Sequence, residues 1–201
     1  MSDENIEVLN DTIKIILVGD SGTGKTNLIT VSAGFPFNSN TLTTTSCSYL
    51  QKIIKKNNKE YKLNLWDTIG QERYRSLTKI FLKGSKIVIL VYDISSKRSF
   101  ESLLFWKKII DDVVGETPLY AVVGNKIDLY DKEEVKEEEG EAYANGIGAK
   151  FLLTSAKCDP QSFTQFIEEL SDDYISNNTD LQRIESITIK KENKKKKNKC
   201  C

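Results

Sequence analysis

Short apolar runs alternate along this chain with segments whose apolar positions recur every three or four residues. Residues 13–18 (IKIILV), 86–93 (KIVILVYD) and 118–125 (PLYAVVGN) read as strands. The last two are continuously apolar, which suits strands covered on both faces. SYLQKII (48–54) and YKLNLW (61–66) flank KKNNKE, the pattern of an antiparallel hairpin. Between residues 93 and 118, Phe100, Leu103, Trp106, Lys107, Ile110 and Val113/Val114 recur at helical spacing. Residues 25–32 predict a first helix, 34–45 a polar loop and 132–146 a charged surface helix. A short strand over 151–154 and a last helix over 162–175 follow. Alternation of this kind predicts an α/β fold in which helices cover both faces of a sheet. After residue 175 the composition turns to Asn, Lys and Ser with scattered apolar residues, which predicts a disordered tail. The expected organisation is one domain over 12–175 and a tail over 176–201.

Charge sharpens that division. The whole chain balances at 29 basic against 29 acidic residues. The segment 190–201, KKENKKKKNKCC, holds seven lysines and one glutamate, so it carries +6 and leaves −6 on residues 1–189. No stretch approaches the ~18 apolar residues of a membrane span. The opening MSDENIEVLNDT is acidic and polar, unlike a secretory or transit peptide, and Ser2 offers no glycine for myristoylation. The cysteines, Cys47, Cys158, Cys200 and Cys201, lack zinc-type spacing, so neither a metal cluster nor a disulfide framework is expected and a reducing cytosol fits. The chain contains no histidine, which excludes imidazole bases and imidazole metal ligands.

The chemistry concentrates at strand ends. GDSGTGKT (19–26) fits the phosphate-loop pattern and lies between the first strand and the first helix, the context that pattern requires. Gly19, Asp20, Ser21, Gly22, Thr23 and Gly24 form a loop whose backbone N–H groups can face an anion at a helix N-terminus. Lys25 can reach the β- and γ-phosphates, and Thr26 can offer its hydroxyl to Mg²⁺. VGNKIDL (123–129) follows an apolar strand, and TSAK (154–157) follows the next. Guanine presents two donors and one acceptor on its Watson–Crick edge. The Asp128 carboxylate suits the donors and the Ala156 N–H suits the acceptor. Asn125, Lys126, Ser155 and Lys157 would brace the base and its loops. In LWDTIGQE (65–72), Asp67 can hold a Mg²⁺-bound water, Gly70 N–H can meet the γ-phosphate, and Gln71 can orient an attacking water.

Over residues 12–175 the chain resembles the small GTPases of the Ras superfamily, and most specifically the Rab branch. KLNLW (62–66), RYRSL (73–77), LVYDISSKRSF (90–100) and the terminal CC carry that closer likeness. The resemblance implies a P-loop NTPase (Ras-like) fold: a six-stranded, mostly parallel sheet with one antiparallel strand and helices on both faces. It implies a GTP/GDP switch in vesicular membrane traffic that hydrolyses GTP slowly without an activating protein. The spacings of 19 from Lys25 to Thr44 and 27 from Thr44 to Gln71 match the family, so the resemblance makes Thr44 the switch threonine on Mg²⁺. It likewise puts Phe37 on the guanine ring and makes Tyr49, Trp66 and Phe81 the aromatic triad that reports the active state. These three aromatics also suit an ordinary core.

The chain departs from the family at three places. Thr45-Ser46 replaces Ile-Gly after the switch threonine, Ile69 replaces alanine before Gly70, and FLKGS (81–85) replaces Tyr-Tyr-Arg-Gly-Ala. A second reading therefore stays open, a GTP-binding scaffold with negligible hydrolysis.

Durable membrane attachment needs two signals, and the resemblance makes Cys200 and Cys201 a double prenylation site beside a lysine run that attracts anionic lipid. The partners implied are effectors, an exchange factor and a GTPase-activating protein at the switch regions, the prenylation machinery, a lipid-extracting chaperone and an anionic membrane surface. Nucleic acid is not expected as a partner. The expected protein is a monomer, peripheral on the cytosolic face of an intracellular membrane.

Overall fold

The computed structural model describes residues 12–39, 48–56, 59–68, 80–114 and 118–197, and beyond residue 178 the backbone only. Thr44, Ile69, Gly70, Gln71, Cys200 and Cys201 lie outside the described residues. In chain order the elements are β1 (Thr12–Val18), α1 (Lys25–Ser32), β2 (Ser48–Lys56), β3 (Lys59–Asp67), β4 (Ile87–Asp93), α2 (Lys97–Val113), β5 (Leu119–Asn125), α3 (Glu137–Gly146), β6 (Lys150–Leu153) and α4 (Pro160–Lys197). A 3₁₀ segment, Ile127–Lys132, follows β5.

The six strands form one sheet in the order β2-β3-β1-β4-β5-β6. The β2–β3 pair is antiparallel and every other pair is parallel. This is the sheet expected from the resemblance. Alternation along the strands divides the core in two. Ile13, Ile15 and Leu17 of β1, with Ile87, Ile89 and Val91 of β4, pack under Leu28 of α1 and Phe163, Ile167 and Leu170 of α4. Ile16, Val18, Val88, Leu90 and Tyr92 point the other way, under Leu103, Trp106 and Ile110 of α2 and Ala144 of α3. Parallel strands bring the C-terminal ends of β1, β3, β4, β5 and β6 to one edge. The order reverses at β1, which lies between β3 and β4, and that is where open α/β sheets hold ligands.

Two expected helices differ in the structure. The helix predicted over 132–146 begins only at Glu137. Upstream of it the N–H groups of Glu134 and Val135 both donate to Ile94 O, at 2.8 and 3.1 Å. Val135 is thereby drawn into the core, fully buried. Those bonds to a distant strand end hold 133–136 out of the helix. The last helix starts at Pro160, where proline suits a first turn, and continues to Lys197. Ile175 is its last residue in the core. Beyond it the helix includes Lys, Glu and Gln residues, which are good helix formers.

Candidate functional site

The phosphate loop leaves β1 pressed against β4. A Cβ on Gly19 would lie 2.1 Å from the carbonyl oxygen of Val91, so only glycine fits there. Ser21 and Gly22 form the exposed tip of the turn, and Thr23 is buried beneath it. Gly24 caps α1 with φ +93°, a left-handed conformation that favours glycine. A Cβ at Gly24 would also meet Asn125 Nδ2 at 2.3 Å.

Lys25 is buried and curls back over the loop, donating from Nζ to Gly19 O and Asp20 O, both at 2.8 Å. Burial pushes its pKa down to about 8 from the ordinary 10.5, against the opposing pull of the Asp67 and Asp20 carboxylates. An ammonium already stripped of water gains strongly from an incoming phosphate, because little solvent screens the pair. Beside it, Thr26 Oγ1 donates to Asp67 Oδ2 at 2.8 Å, joining the start of α1 to the end of β3. Thr68 Oγ1, one residue on, donates to Leu17 O at 2.6 Å and fixes that strand end to β1.

The two base loops are cross-linked to each other and to the phosphate loop. Asn125, buried at the end of β5, donates from Nδ2 to Thr23 O at 2.8 Å. Its Oδ1 accepts from Ala156 N at 3.2 Å. Asp128 accepts from Ser155 Oγ at 2.5 Å on Oδ1, while Lys157 Nζ stands 3.7 Å from its Oδ2. Ser155 Oγ also accepts from the N–H groups of Lys157 and Cys158, at 3.2 and 3.1 Å, which closes the turn. Lys126 is in the left-handed region, φ +70°, and its Nζ pairs with Asp93 Oδ2 at 2.6 Å. Its Cε lies 4.0 Å from where a Cβ on Gly24 would stand, so the side chain runs along the phosphate loop.

The phosphate loop and the loops after β5 and β6 are therefore joined into one bonded cluster through Asn125, Asp128 and Ser155. Phe37 lies apart from it, exposed in the loop after α1, which Asn27 Nδ2 ties down through Asn38 O at 3.2 Å. Tyr49 and Trp66 stack with centroids 4.9 Å apart, and Trp66 meets Phe81 at 6.0 Å, so the three aromatics are neighbours. Lys14 Nζ lies 4.7 Å from the Trp66 ring. Sequence reasoning missed Asp93, which orients Lys126. A carboxylate at the end of an apolar strand, the signal that singled out Asp67, also marks it.

Among the described residues no group of three or more His, Cys, Asp or Glu side chains is arranged to hold a metal. Mg²⁺ does not need such a group, since it binds one or two protein oxygens, keeps much of its water and takes the rest from phosphate. The Thr26 hydroxyl and Asp67 carboxylate, 2.8 Å apart, are hard oxygen donors of that kind.

Comparison with known proteins agrees with this geometry. The Ras family profile matches residues 14–176. Human Ras-related protein Rab-8B is 38% identical over 144 residues, 72% of this chain and 70% of the relative. Chicken Ras-related protein Rab-8A is 37% identical over 146 residues, 73% and 70% of the two chains. The GTP-binding protein ypt2 of Schizosaccharomyces pombe is 36% identical over 145 residues, 72% of each. The chain belongs to the Ras family as a Rab-type small GTPase, a guanine-nucleotide switch of vesicular traffic that hydrolyses GTP to GDP.

Proposed function

We propose that this GTPase works with Mg²⁺ as a membrane-recruited switch whose nucleotide is held by the bonded cluster described above. The observation that carries the reading is Asn125, which ties the phosphate loop and the Ala156 turn together through one amide. A ligand filling both loops at once must carry a base and a phosphate chain. Asp128 would receive the two donors of guanine, Ala156 N–H, which donates to Asn125 Oδ1 in this structure, would turn to its acceptor, and Lys25 would meet the β- and γ-phosphates. Thr26, Asp67 and Thr44 would hold the cation. Bound there, Mg²⁺ compensates charge on the β- and γ-phosphate oxygens. Phe37 covers the guanine ring, Gly70 N–H contacts the γ-phosphate, and Gln71 orients the attacking water.

Hydrolysis in sites of this kind is slow alone, at ~10⁻⁴ s⁻¹, and an activating protein raises it by ~10³–10⁵. Effectors, an exchange factor and that activating protein engage the switch regions and the Tyr49–Trp66–Phe81 neighbourhood. Prenyl groups on Cys200 and Cys201, with the lysine-rich segment before them, hold the protein on the cytosolic face of an anionic membrane. A lipid-extracting chaperone returns it to the cytosol. Among the described residues no helix is long and apolar enough to cross a membrane. On this reading residues 12–175 bind nucleotide and residues 176–201 act as the membrane tether.

Single-turnover hydrolysis of GTP by the wild type and by Gln71→Leu, with and without Mg²⁺, tests the reading. The expected result is a slow, Mg²⁺-dependent rate that falls further in the variant. A Gln71→Leu rate equal to wild type would remove Gln71 from the water and favour a scaffold that binds GTP without using it.

A further inference from the structure

The phosphate-loop pattern leaves the position after its first glycine open, and this chain fills it with a carboxylate, Asp20. A negative charge beside a polyphosphate site is unfavourable unless it is held by donors. The Asp20 side chain meets two of them on α2. Its Oδ1 accepts from Trp106 Nε1 at 2.8 Å and its Oδ2 from Ser102 Oγ at 2.8 Å. Ser102 and Trp106 stand four residues apart, on one face of the helix. Trp106 is 2% exposed, so its indole N–H has left water and bonds to an ionised acceptor, a charge-assisted pair. The main-chain oxygen of the same Asp20 accepts from Lys25 Nζ at 2.8 Å and Thr23 Oγ1 at 3.0 Å. One residue thus joins a packed helix to the lysine and threonine of the loop.

We propose that Asp20 is a positioning residue that fastens the phosphate loop to α2 through Trp106 and Ser102, and so sets how fast bound GDP leaves. A glycine-rich loop has many backbone conformations, and only a few converge its N–H groups on a phosphate. Helix α2 is fixed by Leu103, Trp106 and Ile110 in the core, and the two bonds lend that rigidity to the loop. Without them the loop leaves its phosphate-holding conformation more readily while GDP is bound, so the lost affinity appears in the dissociation rate. Asp128, the reader of the base, is not part of the clamp. Its preference for guanine is therefore unaffected.

The inference rests on guanine-nucleotide binding by this loop, which the wild type reports separately by retaining a fluorescent GDP. Dissociation of that GDP is followed from the full-length wild type and from Ser102→Ala, Trp106→Phe, Asp20→Ala and the Asp20→Ala/Trp106→Phe double variant. Each single change is expected to speed release, by about tenfold for Trp106→Phe, which loses a bond to a charged acceptor. The double variant should release GDP no faster than Asp20→Ala, since both changes remove the same bond. The ratio of GDP to IDP affinity should stay at the wild-type value, which general loosening of the domain would not preserve. Ser102 is half-buried, so its alanine variant keeps the test decisive if Trp106→Phe fails to fold. Wild-type release from both Ser102→Ala and Trp106→Phe, or additive effects in the double variant, would overturn the proposal.

Discussion

Replacing Asn125 by alanine removes a side chain that bonds to both the phosphate loop and the β6 turn. Asn125 is 1% exposed. Its loss strands Thr23 O, which had accepted at 2.8 Å, and Ala156 N–H, which had donated at 3.2 Å. A buried polar group left without its partner costs about 1–3 kcal/mol, so two would cost ~2–6 kcal/mol if neither reached water. The loop opens toward solvent at Ser21 and Gly22, so rehydration favours the lower part of that range, ~2–3 kcal/mol. Because the bonds join two loops that the ligand must fill together, most of this should appear in binding. GDP affinity is expected to fall about 30- to 150-fold. Asn125→Asp separates the bond from the shape. It keeps the acceptor for Ala156 N–H but sets a carboxylate oxygen against the Thr23 carbonyl, where a donor had been. It should bind worse than alanine. Equilibrium titration with fluorescent GDP reads both variants, and thermal melting of the same samples separates lost binding from lost folding. If Asn125→Asp bound GDP as tightly as the wild type, the bond to Thr23 would not be what couples the loops.

Lys25 gives a pH signature. Its folded pKa is near 8 against an ordinary 10.5, so between those values the unfolded chain holds a proton the folded chain has lost. Stability should therefore rise with pH across that window, and Lys25→Met should lack the rise in urea denaturation. Phosphate favours the ammonium form, so GDP affinity should fall as pH rises through about 8; an affinity flat through that range would contradict the depressed pKa. Thr26→Ala removes the proposed cation ligand and a hydrogen bond to Asp67, so chelating Mg²⁺ should speed GDP release less than in the wild type. An unchanged chelator effect would place the cation elsewhere. Cys200→Ser with Cys201→Ser should move the protein to the cytosolic fraction with GDP binding intact, and unaltered membrane recovery would refute anchoring at those cysteines.

What the sequence makes legible is what is contiguous. The phosphate loop and both base loops are short runs at strand ends, where backbone geometry and side-chain chemistry coincide. Trp106 shows the limit. At helical spacing it reads as a core residue, and its ring is one, but an apolar pattern says nothing of where the indole N–H points. Its acceptor lies 86 residues away. Lys126 and Asp93 meet by the same long-range route, through the ends of adjacent strands β5 and β4. The misplaced start of α3 has a similar cause. Local composition favoured a helix through residues 132–136, while the decisive hydrogen bonds go to Ile94 on the far side of α2 in the chain.

Those long-range pairs also resolve an electrostatic conflict. Asp20, Asp67, Asp93 and Asp128 surround a site for a polyphosphate, and two unit charges 4 Å apart near a protein surface repel by ~4 kcal/mol. Three of the four are turned to other work. Asp20 is bonded to Trp106 and Ser102 of α2. Asp93 accepts from Ser95 N and Oγ on one oxygen, at 2.9 and 2.7 Å, and pairs with Lys126 on the other. Asp128 faces Ser155 and Lys157, where the proposed function puts the base rather than the phosphates. Asp67 accepts from the Thr26 hydroxyl at 2.8 Å, a neutral group. Burial lowers the Lys25 pKa and the Asp67 charge opposes that shift, and the same ammonium is the one proposed to meet the phosphates. On the proposed function a polyphosphate and Asp67 both draw on this ammonium, and a divalent cation beside them would ease that. The Thr26 hydroxyl and the Asp67 carboxylate, 2.8 Å apart, are the hard oxygens that would receive such a cation under the proposed function.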